Sequence, residues 1–415
     1  MDHSEKNTTR RDYMMKKTTR KPSAPFQQTL LSATRNLHLT DWQITSRAIA
    51  RNPVAPFSVR QLTLHGGRQE GVDLVVVDNG CLRLTLIPTR GLGVLQVERG
   101  DLRLGWDSPV KEVVHPQFVN LPTRGGLGWL DGFNEWMVRC GLENCGGPGR
   151  DPFVTNTGAT AEMDLPLHGK IANIPASEVE VVIDREPPHT IRVRGLVHER
   201  MFYGPKLELA TELATDPGSN RFTITDTVTN RGAGTQEFQL LYHVNFGAPL
   251  LEAGARFVGP IRQVAPFNET AARGLRTWNE YRGPTPGFVE QVFCLRPWAD
   301  AHGRTTLMLR NAGADRAATL RFAVESLPCV SLWKCTAATE DGYVTGIEPG
   351  TGFPNTRRIE RQRGRVPSLA PGGRRTFAIE YAALRGRAEV TRATREIEEI
   401  QGGRGIQVDS RPEVR

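Results

Sequence analysis

From Gln61 onward the chain is written in short apolar runs, some alternating with polar residues and some continuous, each closed by Gly, Pro or Asn. A period of two sets successive side chains on opposite faces of a strand, whereas a helix needs apolar positions three and four apart. By that test "DLVVVDNGCLRLTLIP" (73–88) is two strands folded about an Asp-Asn-Gly turn. Strands are also predicted at 178–184, 190–199, 206–215, 221–230, 236–247, 288–295, 305–311, 318–326, 329–335 and 374–384. The 206–215 segment, "KLELATELAT", has a helical period as well, but its place between turn signals and among strands selects the strand. Many short strands at regular spacing, with almost no helical period, predict an all-β fold, a large antiparallel β-sandwich.

One stretch departs from this texture. Residues 120–151, "NLPTRGGLGWLDGFNEWMVRCGLENCGGPGRD", are rich in Gly and Trp and show no strand period. Loops this long in a compact domain usually serve a site or are disordered. The aromatic content favours a folded loop beside a site, with a turn or two of helix at 130–141 capped by Asp131. Residues 386–415 read as a charged, partly helical tail. The expected organisation is therefore a tail over 1–40, one sandwich domain over 41–385 and the C-terminal tail.

Three segments put chemistry where such a pattern would otherwise bury apolar groups. In "LLYHVNFG" (240–247) Leu241, His243 and Asn245 share one face, and Tyr242, Val244 and Phe246 the other. In "LHGK" (167–170) a glycine after His168 allows a tight turn that presents the imidazole. In "GIEPGTGFPN" (346–355) Glu348 is expected at a strand end, where Pro349 stops the ladder. Each alone suits a hydrogen-bonded structural histidine or a surface carboxylate. Together, two imidazoles and a carboxylate beside turn residues fit the place where sandwiches carry function.

Charge changes the picture little. The net charge is +8, but residues 1–35 alone carry +5, so the basicity belongs mostly to the N-terminal segment. That segment reads as solvated, and the body has no basic stripe interleaved with aromatics, which argues against nucleic acid as a partner. No apolar stretch approaches the roughly 20 residues a membrane span needs. No apolar core with a small-residue cleavage site heads the chain, so no secretory signal is expected. The six cysteines include no C-x-x-C pair. A reducing, cytoplasmic setting is expected, without a zinc knuckle or a disulfide framework.

The segments "PTRGLGV" (88–94), "GGLGWLDGFNEWMVRCGLEN" (125–144), "LHGKIANIPA" (167–176), "LLYHVNFGAPLL" (240–251) and "GIEPGTGFPNTR" (346–357) together resemble the aldose 1-epimerase (galactose mutarotase-like) superfamily. They resemble most its bacterial branch of uncharacterised, DUF4432-like proteins, over roughly residues 60–385. The resemblance implies anomer interconversion of a monosaccharide or sugar derivative, with no metal or other cofactor. It implies His243 as general acid, Glu348 as general base, His168 as a binder of sugar hydroxyls and Arg90 as a substrate contact. "YHVNFG" and "HGKIAN" depart from the "H-x-Y-F-N" and "HGG" forms of better-known members. No residue matches the usual substrate-binding aspartate; Asn279, Glu280 and Glu290 are the candidates nearby.

Beside these, Trp129, Phe133 and Trp136 are expected either to floor a sugar site or to plug the open edge of the sandwich, and Asn134, Glu135, Arg139, Glu143, Asn144 and Asn245 to bond hydroxyls. A carboxylate near His243 is expected to raise its pKa toward neutrality. Competing readings are a non-catalytic sugar-binding protein, a carbohydrate lyase or hydrolase using Asp131, Glu135 or Glu143, and a zinc site at Cys140, Cys145, His168 and His243. A second copy of the chain is the one macromolecular partner left open.

Overall fold

The computed structural model describes Met1, residues 24–50 and residues 52–413. Among these residues two large sheets face each other, one of ten strands and one of thirteen, and most neighbouring strands are antiparallel. Their inner faces share one core: Tyr242, Val244 and Phe246 from the larger sheet meet Val193, Leu209, Ile224 and Phe377 from the smaller. The predicted hairpin is present as Asp73–Asp78 and Arg83–Ile87, with the Asn79 side chain accepting from the Cys81 and Leu82 amides and Gly80 at φ +86. Lys206–Thr215, ambiguous by period, is a strand between Ile191–Arg200 and Arg221–Asn230.

A buried ion pair ties the two sheets together. Arg139 of the larger sheet donates through Nε (2.5 Å) and a terminal nitrogen (3.0 Å) to Asp226 of the smaller, and both residues are fully enclosed. Thr211 and Tyr242 hydroxyls, each at 2.8 Å, complete the carboxylate's shell. Arg139 was expected to bond sugar hydroxyls; it belongs to the core instead.

The domain edges also differ from expectation. Phe26–Ser32 is a strand paired with Glu178–Ile183, so the sandwich begins before residue 41. Its alternation is masked by two glutamines and a bulge at Thr29/Leu31. At the other end Arg387–Gln401 is a helix whose Val390 and Ile397 pack on Met308, Ala317, Ala382 and Leu384, so this segment is part of the fold. The cluster of basic residues from Lys6 to Lys21 lies outside the described residues. No helix among the described residues is long and apolar enough to cross a membrane.

The Gly/Trp-rich stretch is two things. Residues 123–132 make short helical turns, and Met137–Leu142 is a central strand of the larger sheet, beside Gln239–Phe246. Asp131 sits inside a turn and caps nothing. The strand escaped the period test because every residue in it is buried, which removes the polar alternation.

Deleting the acceptor shared by Arg139, Thr211 and Tyr242 leaves a buried guanidinium unpaired. Asp226→Ala is expected to cost about 3–5 kcal/mol in urea unfolding; a loss below about 1 kcal/mol, the range of an exposed pair, would show the pair to be dispensable.

Candidate active site

The larger sheet has a second, smaller apolar cluster on its outer face, built from Trp106, Trp129, Phe133, Val138, Cys140 and Leu241. Beside it a cavity of about 550 Å³ opens, lined among others by Trp129, Phe133, His168, His243, Trp333 and Glu348. Two neighbouring strands supply its polar floor. Gln239–Phe246, the histidine strand, pairs antiparallel with Val344–Gly350, the glutamate strand. The register matches Leu241 with Gly350 and Asn245 with Gly346, which sets His243 directly across from Glu348. With Tyr242, Val244 and Ile347 in the core, alternation turns both ionisable groups outward.

Glu348 is not at a strand end, as the proline had suggested. The strand continues to Gly350 and stays paired with Cys329–Cys335 through Pro349. On the other side, pairing lapses between Val244–Ile347 and Leu241–Gly350, where Pro349 has no N–H to give. His243 Nε2 lies 3.2 Å from Glu348 Oε1. The contact is not aligned as a hydrogen bond, and Oε1 is buried without a hydrogen-bond partner. Gly346 makes room for it: a Cβ there would stand 2.6 Å from Oε1 and 3.2 Å from His243 Cε1.

His168 reaches the same cavity from a turn. Its backbone is left-handed at φ +58, followed by Gly169 at φ +71. A side chain at 169 would meet the Gly141 and Asn144 carbonyl oxygens at 2.3 Å. A left-handed histidine costs of order 1–3 kcal/mol, a strain found mostly at functional positions. The ring stands edge-on to His243, centroids 5.3 Å apart, and packs against Trp129 at 4.7 Å. Its Nδ1 lies 2.8 Å from the Cys145 carbonyl, which can only accept, so Nδ1 carries the proton.

Burial decides the protonation of these groups. It lowers His168 to about 4 and moves His243 well below the ordinary imidazole range, with His168 adding to the latter effect. It raises Glu348 well above the usual carboxyl range, helped by the nearby Glu290 carboxylate. The expectation that Glu348 would raise His243 is therefore corrected: desolvation, with His168 beside it, lowers His243 instead.

The remaining expected contacts divide. Trp129 and Glu290 line the cavity, and the Trp333 indole donates to Glu290 at 2.8 Å. Asn279 and Glu280 do not line it. Asn245 is fully buried one step behind, bonded to His243. Arg90 is enclosed in an ion pair with Glu135 at 2.6 Å and does not reach the cavity. Asn134 spends its amide on the Val110 and Glu112 carbonyls. Glu143 pairs with Lys170 at 2.7 Å beside a different hollow. Asn144 donates to the Gly146, Gly147 and Pro166 carbonyls. Trp136 faces the core against Tyr381 and Phe246. These polar residues were misplaced for one reason: a Gly-rich segment needs internal partners for its own backbone and charges.

Among the lining residues that the sequence reading missed are Trp333 and Asn355. For Trp333 a signal existed. In "CVSLWKC" Val330 and Leu332 alternate into the core, leaving Ser331, Trp333 and Cys335 on the outer face. A lone tryptophan among small residues there marks a wall.

Comparison with known proteins agrees with the fold. The model of the family described as "Domain of unknown function (DUF4432)" matches residues 69–383. A solved structure from Klebsiella pneumoniae, provisionally named an aldose 1-epimerase, is 41% identical over 94% of this chain and 100% of its own, with a TM-score of 0.88. A galactose mutarotase-like protein from Clostridium acetobutylicum, 16% identical over 77% of this chain and 97% of its own, superposes with a TM-score of 0.53. A galactose 1-epimerase from Lactobacillus acidophilus, 10% identical over 79% and 99%, reaches 0.50. The last two share the fold alone. Among curated proteins, none matches.

Because the folded state holds His168 neutral, it binds fewer protons than the unfolded chain between its folded value of about 4 and the free value of 6.5. Stability should therefore fall on acidification through that window. His168→Asn, which tolerates left-handed backbone, should flatten the fall in a thermal-denaturation series; an unchanged slope would mean that His168 is not held neutral.

Proposed function

Since this chain belongs to the DUF4432 family and folds as a galactose mutarotase-like sandwich, we propose that it is a carbohydrate-binding aldose 1-epimerase-like isomerase, interconverting anomers of a monosaccharide by general acid–base catalysis. The observation that carries this reading is the His243–Glu348 contact on the floor of a cavity large enough for a pyranose.

The chemistry follows from one shared proton. Anomerisation removes the proton of the C1 hydroxyl, breaks the bond between C1 and the ring oxygen, and delivers a proton to that oxygen. Rotation about C1–C2 and the reverse steps give the other anomer. His243 and Glu348 hold one exchangeable proton between them, so one is acid whenever the other is base. Opening the ring with imidazolium as acid and carboxylate as base leaves neutral imidazole and carboxylic acid, and that is the form closure consumes. Each turnover returns the pair to its starting state with no net proton taken from solvent. Burial favours the neutral form of each group, the pairing that follows ring opening. His168 would orient a hydroxyl with Nε2, and Trp129, Phe133 and Trp333 would meet the C–H faces of the sugar.

The lining also bears on the substrate. Among the described residues it contains Glu290 and Glu348 but no lysine or arginine. A phosphate or carboxylate there would be desolvated beside like charge. A neutral sugar is therefore the substrate class we infer. The lyase or hydrolase reading is disfavoured, since Glu135 and Glu143 are committed to Arg90 and Lys170 and Asp131 does not line the cavity. Six free cysteines suit a reducing compartment.

Polarimetry or saturation-transfer NMR over a panel of aldoses is the test. His243→Ala and Glu348→Gln should each slow anomerisation by about tenfold or more. Glu348→Gln should at the same time raise the neutral-pH melting temperature, because it removes a carboxyl whose pKa burial has raised. Wild-type rates in both variants would remove the acid–base assignment, and sugar binding without acceleration would make the chain a carbohydrate-binding protein. An aldose 6-phosphate should react about tenfold more slowly than its parent sugar, or worse; equal rates would refute the neutral-substrate reading.

A further inference from the structure

Asn245 can be oriented in one way only. One end of its amide lies 2.9 Å from the Glu135 carbonyl oxygen and 3.4 Å from that of His243. Carbonyls only accept, so the atom there is the donor Nδ2, and Oδ1 faces His243 Nδ1 at 2.6 Å. An amide oxygen also only accepts. The imidazole must therefore carry a proton on Nδ1 and leave Nε2, the atom beside Glu348, with its lone pair when neutral.

The anchor is itself held. The Glu135 carbonyl accepts from the Trp106 indole at 3.1 Å. The Glu135 carboxylate accepts from Arg90 Nε at 2.6 Å and from the Asn134 amide at 3.1 Å. Arg90 in turn donates to the Val114 carbonyl and the Asn173 side chain. Every member named here except Asn173 is at least nine-tenths buried. His168 uses the same device with a backbone carbonyl, so both imidazoles of the cavity are held with Nδ1 protonated and Nε2 uncommitted to backbone.

We propose that Asn245 is a positioning residue that fixes the tautomer of His243, making Nε2 the atom that exchanges a proton with Glu348 and with substrate, and that Arg90 and Glu135 serve this site by anchoring Asn245. The role in turnover rests on the acid–base reading above; the tautomer itself does not. Without the clamp the ring can place its proton on Nε2, where neutral imidazole has no lone pair to take back the proton of the hydroxyl that becomes the ring oxygen on closure.

The test is ring ¹³C and ¹⁵N chemical shifts of the full-length chain labelled at histidine, above the pH where His243 titrates, with His243→Gln used only to assign the signal. Wild type should show the Nδ1–H tautomer. Asn245→Ala should shift population to Nε2–H and lower kcat by about tenfold or more with KM little changed. Asn245→Asp can, as a buried neutral acid, donate to the Glu135 carbonyl and accept from Nδ1; it should restore the tautomer and part of the rate. An Nε2–H ring in wild type would overturn the proposal, even if Asn245→Ala fails to fold. So would an Asn245→Ala protein, folded by circular dichroism, whose tautomer is unchanged. An Nδ1–H ring that responds to Asn245 in a protein accelerating no aldose would uphold the clamp and discard the acid–base reading.

Discussion

The register between the histidine strand and the glutamate strand is the constraint on which the site depends. Because side chains alternate along a strand, a slip of one residue would turn both His243 and Glu348 into the core and bring Tyr242 and Ile347 out. The core forbids that slip: Tyr242 is bonded to Asp226 across the sandwich, and Val244 and Phe246 are fully enclosed. Packing on one face of the sheet thus fixes chemistry on the other. Pro349 and Gly346 then adjust the row locally, one by removing a ladder donor and one by removing a side chain where the carboxyl must fit.

The pair pays in stability for what it gains in function. A carboxyl and two imidazoles, one of them on a left-handed backbone, are enclosed where none is at its most comfortable. Burial favours the neutral form of all three titratable groups. Neutral groups suit a reaction in which a proton leaves one oxygen and arrives at another, and among the described residues no lysine or arginine lines the cavity.

Much of the fold was legible in the sequence, for a physical reason. Strands with one face in the core and one outside alternate visibly, and those from Glu178 to Asn230 were found within a residue or two of their ends. Met137–Leu142 is buried on both faces and left no pattern to read. The N-terminal strand hides behind glutamines; the C-terminal segment was expected to be partly helical, but its charged outer face hid that Val390 and Ile397 pack on the sandwich. At the site, His168, His243 and Glu348 stood out because polar groups interrupt strands or turns that should be apolar, and the structure brings the three to one cavity. Arg90, Asn134 and Glu143 looked equally promising in one dimension. A sequence shows that a charged residue sits among aromatics, but not that another charge folds onto it, and Glu135 and Lys170 do so.

The acid–base chemistry proposed for the cavity requires a sugar to sit against two atoms. The most direct measurement is a crystal structure of the Glu348→Gln protein, soaked with the aldose whose anomerisation the wild-type protein is found to accelerate most. The account predicts a pyranose in the cavity beside Trp129, with its C1 hydroxyl and ring oxygen each within hydrogen-bond reach of His243 Nε2 or the residue 348 side chain. A sugar bound with its anomeric carbon turned away from both, or bound in another hollow of the protein, would contradict it.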